Sequence, residues 1–301
     1  MDPTFVTAVP LGFHFSYTFA NTRRCEISQM HEIYPNPPVA LVALEVRFPE
    51  GSIDQPLASS VQKSFREMLG TEWVTELQRV QQFNVELTPG VMPTRDVQQV
   101  TVPRFTVRDR TAAVAITNQS LTIETTRYGG YEVFKPTIET VLTAAEEVFV
   151  PDGVARIGMR FIDEIRVPGV DRDAPDTWGD WIDESLLGPG APGHPPDLKL
   201  TGLQGVAQFA VGMERTVVLR YGPGFGHAVN SQGPLLRPGA PEPGPFFLLD
   251  FDSAWLPSNI PEFSADALGK ECDRLHGPIE ELFDSFVKPA LVEVFRKERV
   301  E

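Results

Sequence analysis

Four ionisable residues share one side of a single strand-like segment, RIGMRFIDEIR at 156–166. Period-two alternation puts Arg156, Arg160, Glu164 and Arg166 on one face, and Ile157, Met159, Phe161, Asp163 and Ile165 on the other. Charges at this spacing can pair with acids on neighbouring strands, Glu45 among them, or line an open sheet face that accepts an anion. Asp250 and Asp252 in LLDFDSAW also share one strand face. Two carboxylates so placed can give oxygen ligands to Mg²⁺ or split their proton affinities for acid–base work. No third carboxylate or phosphate-binding loop stands near them in sequence. In TTRYGGYEVF at 125–134, Arg127, Tyr128, Tyr131 and Glu132 gather where a strand passes into a helix. That is a place for an anion or for a capping contact, with Gly129-Gly130 as the turn.

Other chemistries find less support. YGPGFGH at 221–227 has glycines at alternate positions, but no helix follows to supply the oriented N–H groups of a phosphate cradle. The five histidines are dispersed without metal-ligand spacing. His276 precedes Gly277-Pro278 at an expected helix end, where an imidazolium meets the dipole favourably. No GxSxG nucleophile elbow occurs.

These residues need elements to position them, and the chain supplies two similar strings. The first opens with a strand at 39–48, then a helix over Pro56–Gly70 with Pro56 at its first position. Strands follow at 80–87, 102–107, 112–117 and 121–126, and a helix at 131–149 whose regular part starts at Pro136. The second string opens with the 155–167 strand and a short helix at 176–187. A hairpin of 198–211 with 215–221 turns at Gly212-Met213, and a strand spans 246–252. A C-terminal helical region is broken by Gly277-Pro278. LGFHFSYTFA at 11–20 alternates like a half-buried strand, so residues 1–36 read as an N-terminal extension. The expected organisation is thus 1–36, a first α+β unit at 37–150 and a second at 151–301. The tracts 188–197 and 222–245 are loops by composition.

Composition bounds the rest. Of 301 residues 42% are hydrophobic, including 20 Phe, enough for a large core without a metal or disulfide scaffold. Cys25 and Cys272 form no CxxC pattern and read as free thiols in a reducing compartment. No run approaches the ~18 apolar residues of a membrane span. The N-terminus lacks the basic and hydrophobic regions of a signal peptide, so the expected location is cytoplasmic. A net charge of −15 opposes binding to bare nucleic acid or an anionic membrane.

The element order, β-α-β4-α followed by β-α-β3-α, resembles the duplicated saddle of the TATA-binding protein fold. That predicts an α+β fold with an antiparallel sheet and helices on one face. PNPPVALVALEVRFP, TTRYGGYEVF, ARIGMRFIDEI, FLLDFD and LHGPIEELFDSFV also resemble, in order and spacing, a sporadically distributed, TIGR-catalogued bacterial family of uncharacterised proteins. The resemblance spans about residues 35–298. FID at 161–163 replaces the more usual YIN, so any family role of that Asn does not carry over to this chain, where Asp163 stands in its place. The resemblance implies a cytoplasmic protein of patchy occurrence, as in mobile or phage-defence genes, and carries over no site residue.

The expectation is a binding or regulatory protein without a cofactor, whose partner is another protein or a small anionic ligand. Arg156, Arg160, Glu164, Arg127 and Tyr128 are the predicted contact residues. One alternative is a metal-dependent hydrolase or nuclease using Asp250 and Asp252. The other is a nucleic-acid-binding saddle, which requires a basic sheet face.

Overall fold

The first strand, β1 (Val39–Arg47), alternates as its sequence predicts: Ala40, Val42, Leu44 and Val46 are buried, and the intervening residues are not. In this computed structural model residues 34–86, 94–170, 175–188, 202–230 and 233–296 are described; for 79–86, 94–101, 175 and 176 this is the backbone alone. The strand expected at 11–20 and the extension to which it belongs lie outside the described residues.

After β1 come α1 (Ser59–Leu69), β2 (Trp73–Glu86), β3 (Thr94–Val107), β4 (Ala112–Ile116), β5 (Ser120–Thr125) and α2 (Tyr131–Phe149). Then follow β6 (Arg156–Ile165), two short 3-10 turns at Pro175–Asp180 and Glu184–Leu186, β7 (Gly205–Ala210), β8 (Arg215–Gly226) and β9 (Gly244–Trp255). Two helices, α3 (Ala265–Phe286) and α4 (Pro289–Arg296), end the chain. The protein is therefore α+β. Among the described residues there is one sheet of nine strands in the order β2-β3-β4-β5-β1-β6-β9-β8-β7, and every pairing is antiparallel. β1 and β6 pair at its centre. Each also pairs with the last strand of its own string, β1 with β5 and β6 with β9.

One side of this sheet and the helices share a single core. The sheet gives Val42, Leu44, Ile123, Ile157, Met159, Phe251 and Leu249. The helices give Phe65 and Leu69 from α1, Phe134, Ile138, Val141 and Leu142 from α2, and Leu268, Cys272, Leu275 and Ile279 from α3. These helical positions recur at three- and four-residue steps, the stripe that an amphipathic helix buries. No described helix is long and apolar enough to cross a membrane.

Several boundaries differ from the sequence reading. The expected break at Gly277-Pro278 is absent: α3 runs through Pro278. Leu275 and Ile279 on either side are buried, so packing carries the helix across the donor that proline removes. α2 begins at Tyr131 and not at Pro136, since the Val133 and Phe134 amides already donate to the Gly130 carbonyl. The 176–187 helix is two 3-10 turns, the second capped by Asp183, which accepts from the Ser185 amide. β8 extends to Gly226, which shortens the 222–245 loop to a connection over 227–243.

Candidate functional site

The central strand β6 decides where the charged residues go. Arg156 and Arg160 lie on the side of the sheet away from the core, as their spacing requires. The β6–β9 register sets Arg160 opposite Asp252 and Ile162 opposite Asp250, so each arginine reaches an acid diagonally. Arg156 donates from Nη1 to Glu45 Oε2 at 2.9 Å and from Nη2 to Asp252 Oδ1 at 3.0 Å. Its guanidinium lies over Gly158, where a Cβ would collide with it. Arg47 donates from Nε to the same Glu45 oxygen at 2.8 Å.

Beside that chain of charges sits a second group. Arg160 grips Asp250 with two parallel bonds, Nε to Oδ1 at 2.7 Å and Nη2 to Oδ2 at 2.8 Å. From β8, Arg220 Nη1 approaches the same carboxylate at 3.7 Å. The side chains of Arg160 and Arg220 are 48% and 47% exposed, whereas that of Asp250 is 5% exposed. Arg47, Glu45, Arg156 and Asp252 cancel in charge. Arg160, Arg220 and Asp250 do not, which leaves a positive charge at the surface between two guanidinium forks.

Glu164 lies on the same sheet side, but the structure does not bring it to the accessible surface. The 227–243 connection covers it. Its carboxylate accepts from the Ala228 amide and Arg237 Nη1, both at 2.8 Å, and from Arg166 Nε at 2.8 Å. Arg166 also donates to the Gly226 and Glu242 carbonyls. Burial pushes the Glu164 carboxyl up, yet the Ala228 amide and the two guanidinium groups outweigh it and hold it below the usual range. Further along, the Leu236 amide donates to the Arg110 carbonyl at 2.8 Å and Thr126 Oγ1 donates to the Leu236 carbonyl at 2.5 Å. The connection is thus a strap from the β8–β9 end of the sheet to the β3–β4 turn and the end of β5.

On the core side of β6, Asp163 is buried with Phe161 and Ile165. Burial, and then the nearby Asp250 charge, push its carboxyl up to about 8. Tyr128 is on this side too, edge-on to Phe161 with ring centroids 5.4 Å apart. Burial, and then the charges of Asp163, Glu280 and Glu132, raise its hydroxyl above the usual tyrosine value. Arg127 is separate again. It pairs with Asp109 at 2.6 Å on the rim of a cleft of about 450 Å³, whose lining includes Val107, Ala112 and Phe134. The five predicted contact residues therefore occupy distinct places: Arg156 and Arg160 together, Glu164 under the strap, Tyr128 against the core and Arg127 at the cleft.

Asp250 and Asp252 do share a face, but Arg160 binds both oxygens of Asp250 and Arg156 binds Oδ1 of Asp252. No group of three His, Cys, Asp or Glu side chains that could hold a metal ion occurs among the described residues. Sequence reasoning did not single out Arg220 or Arg237. Arg220 had a readable signal, an arginine in the strand-like run RTVVLRY, whereas Arg237 is concealed in the proline- and glycine-rich tract around it. In comparisons with known proteins, no family model matches the chain, and neither does any curated protein.

Proposed function

We propose that this is a non-catalytic binding protein whose open sheet face takes up an anionic group of its partner at Arg160 and Arg220. The supporting observation is that two half-exposed guanidinium groups converge on one buried carboxylate. Asp250 fixes the Arg160 fork while leaving a net positive charge for an incoming carboxylate or phosphate. A partner protein would supply that group from an acidic side chain, and a small anionic ligand would supply it directly.

The alternatives have less behind them. Metal-dependent hydrolysis would require Asp250 and Asp252 to exchange arginine partners for an ion. A nucleic-acid saddle would need several uncompensated cations, and the charges on the central strands mostly cancel. The order of strands does suit a duplicated, saddle-like reading: the two opening strands meet at the centre, and each bonds to the last strand of its string. Kinship with the sporadically distributed bacterial family, a cytoplasmic setting and a role in phage–host conflict rest on the sequence motifs.

Calorimetric titration with inorganic phosphate and with a glutamate-rich peptide tests the proposal. One of these probes should bind the wild type, and Arg160→Ala with Arg220→Ala should weaken it at least tenfold while circular dichroism and melting stay near wild type. No binding of either probe, or equal binding by the double variant, would overturn the reading. Loss of fold in Arg160→Ala would instead assign the arginine to the ion-pair lattice.

A further inference from the structure

The two ends of the sheet are guarded differently. β2 carries Glu76 within its length, whereas β7, GVAQFA, has no charged residue and no proline. Its ladder with β8 has no bulge. Edge strands usually carry one of these devices, because an unguarded edge pairs with another chain. Here Val206 is 71% exposed.

Backbone geometry says which groups face outward. The Val211 amide donates to the Arg215 carbonyl at 2.9 Å, and the adjoining ladder pairs Ala210 with Thr216 and Phe209 with Val217. In an antiparallel ladder bonded pairs alternate. Gly205, Ala207 and Phe209 therefore direct their N–H and C=O groups toward β8, and Val206, Gln208 and Ala210 direct theirs outward. Among the described residues no strand lies on that side.

We propose that β7 is a self-association edge: two copies of this chain pair β7 with β7, antiparallel, about a two-fold axis through Gln208. This register sets Gln208 opposite its own copy and Val206 opposite Ala210, so every outward N–H and C=O of the strand finds a partner. Side chains fit as well. The larger Val206 meets the small Ala210, and on the other face Phe209 meets Ala207, while the two Gln208 amides bond across the axis. The edge is uncharged, so no like charges face each other although each chain carries −15. A two-fold perpendicular to the sheet keeps both open faces on the same side. Arg220 stands level with Val206, two residues off the axis. The two copies of Arg220 therefore lie three strand spacings across and four residues along from each other, about 20 Å apart. Pairing does not depend on the anion reading, but it would present two such sites side by side.

Sedimentation velocity of the full chain across the micromolar range tests this. The wild type should be a monomer–dimer mixture whose dimer fraction grows with concentration and with salt, because salt screens the net charge. Gln208→Lys places two like charges at the axis and should give monomer with an unchanged melting curve. Gln208→Cys should form an intermolecular disulfide on mild oxidation, whereas Glu76→Cys on the opposite edge should not. A wild-type monomer throughout, or a dimer that survives Gln208→Lys, overturns the proposal. If Gln208→Lys does not fold, the cysteine pair decides: a crosslink at 208 alone supports it, and none refutes it.

Discussion

Asp163 and Glu164 are consecutive residues of β6, and their carboxyl groups lie on opposite sides of the sheet with proton affinities driven in opposite directions. Asp163 faces the core, where burial raises it to about 8. Glu164 faces the strap, where the Ala228 amide, Arg166 and Arg237 overcome burial and lower it. One peptide unit thus separates a carboxyl that is mostly protonated at neutral pH from one that stays charged. Strand alternation is the cause: adjacent side chains on a strand enter different environments.

The Asp163 shift predicts a pH dependence with a definite sign. Between an unfolded value near 3.8 and a folded value of about 8, the folded chain keeps a proton that the unfolded chain has released. Its contribution to stability is complete below that window and is lost as pH rises through it, by about 1.4 kcal/mol per unit. Asp163→Asn keeps the shape and abolishes the titration. Urea unfolding at both ends of the window should find the variant more stable than wild type at the alkaline end, by a few kcal/mol in order of magnitude. Parallel stability curves for the two proteins would rule this out.

Glu164 has the reverse sign. Its contribution is present above the unfolded value of 4.5 and is lost as pH falls through the lower folded value. Glu164→Gln removes the counter-charge shared by Arg166 and Arg237, and breaking such a buried pair costs about 3 kcal/mol. The strap should then be cleaved faster within 227–243 in limited proteolysis, with a lower melting temperature. An unchanged digestion pattern would show that the strap does not depend on the Glu164 carboxylate.

Cys272 should be inert in the folded protein. It is buried in α3, and burial, then the charges of Asp273 and Glu271, push its thiol well above the usual range. Iodoacetamide labelling followed by peptide mapping should modify Cys272 only after denaturation. Rapid modification under native conditions would mean that α3 opens locally at that turn.

Much of β6 was legible because its chemistry alternates as cleanly as its backbone. The sequence places Arg156 and Arg160 on one face and points to Glu45 as a partner, and the Arg156–Glu45 bond is there. Arg127 and Tyr128, expected to join these arginines in one contact set, stand apart from them. Tyr128 packs against Phe161 on the core side, and Arg127 pairs with Asp109 at the rim of the cleft, because no strand register ties the segment after β5 to the open face of β6. The metal reading of Asp250 and Asp252 came from spacing, which says that two carboxylates share a face but not what stands opposite them. The Pro278 break failed for a related reason: local propensity favours an end there, and the burial of Leu275 and Ile279 overrides it.

By itself the sequence determined the α+β class, the alternation that gives β1 its buried face and sets the arginines of β6 on one side of the strand, and the stripes of α1 to α3. These follow from periodicity, a property of neighbours along the chain. Only the tertiary structure decided that Arg160 and Arg220 share Asp250, that a loop-like tract crosses the sheet to bury Glu164, and that β7 is left as an unguarded edge. Register between distant strands and the path of a connection depend on contacts between residues far apart in the chain, and no local pattern encodes which of them will meet.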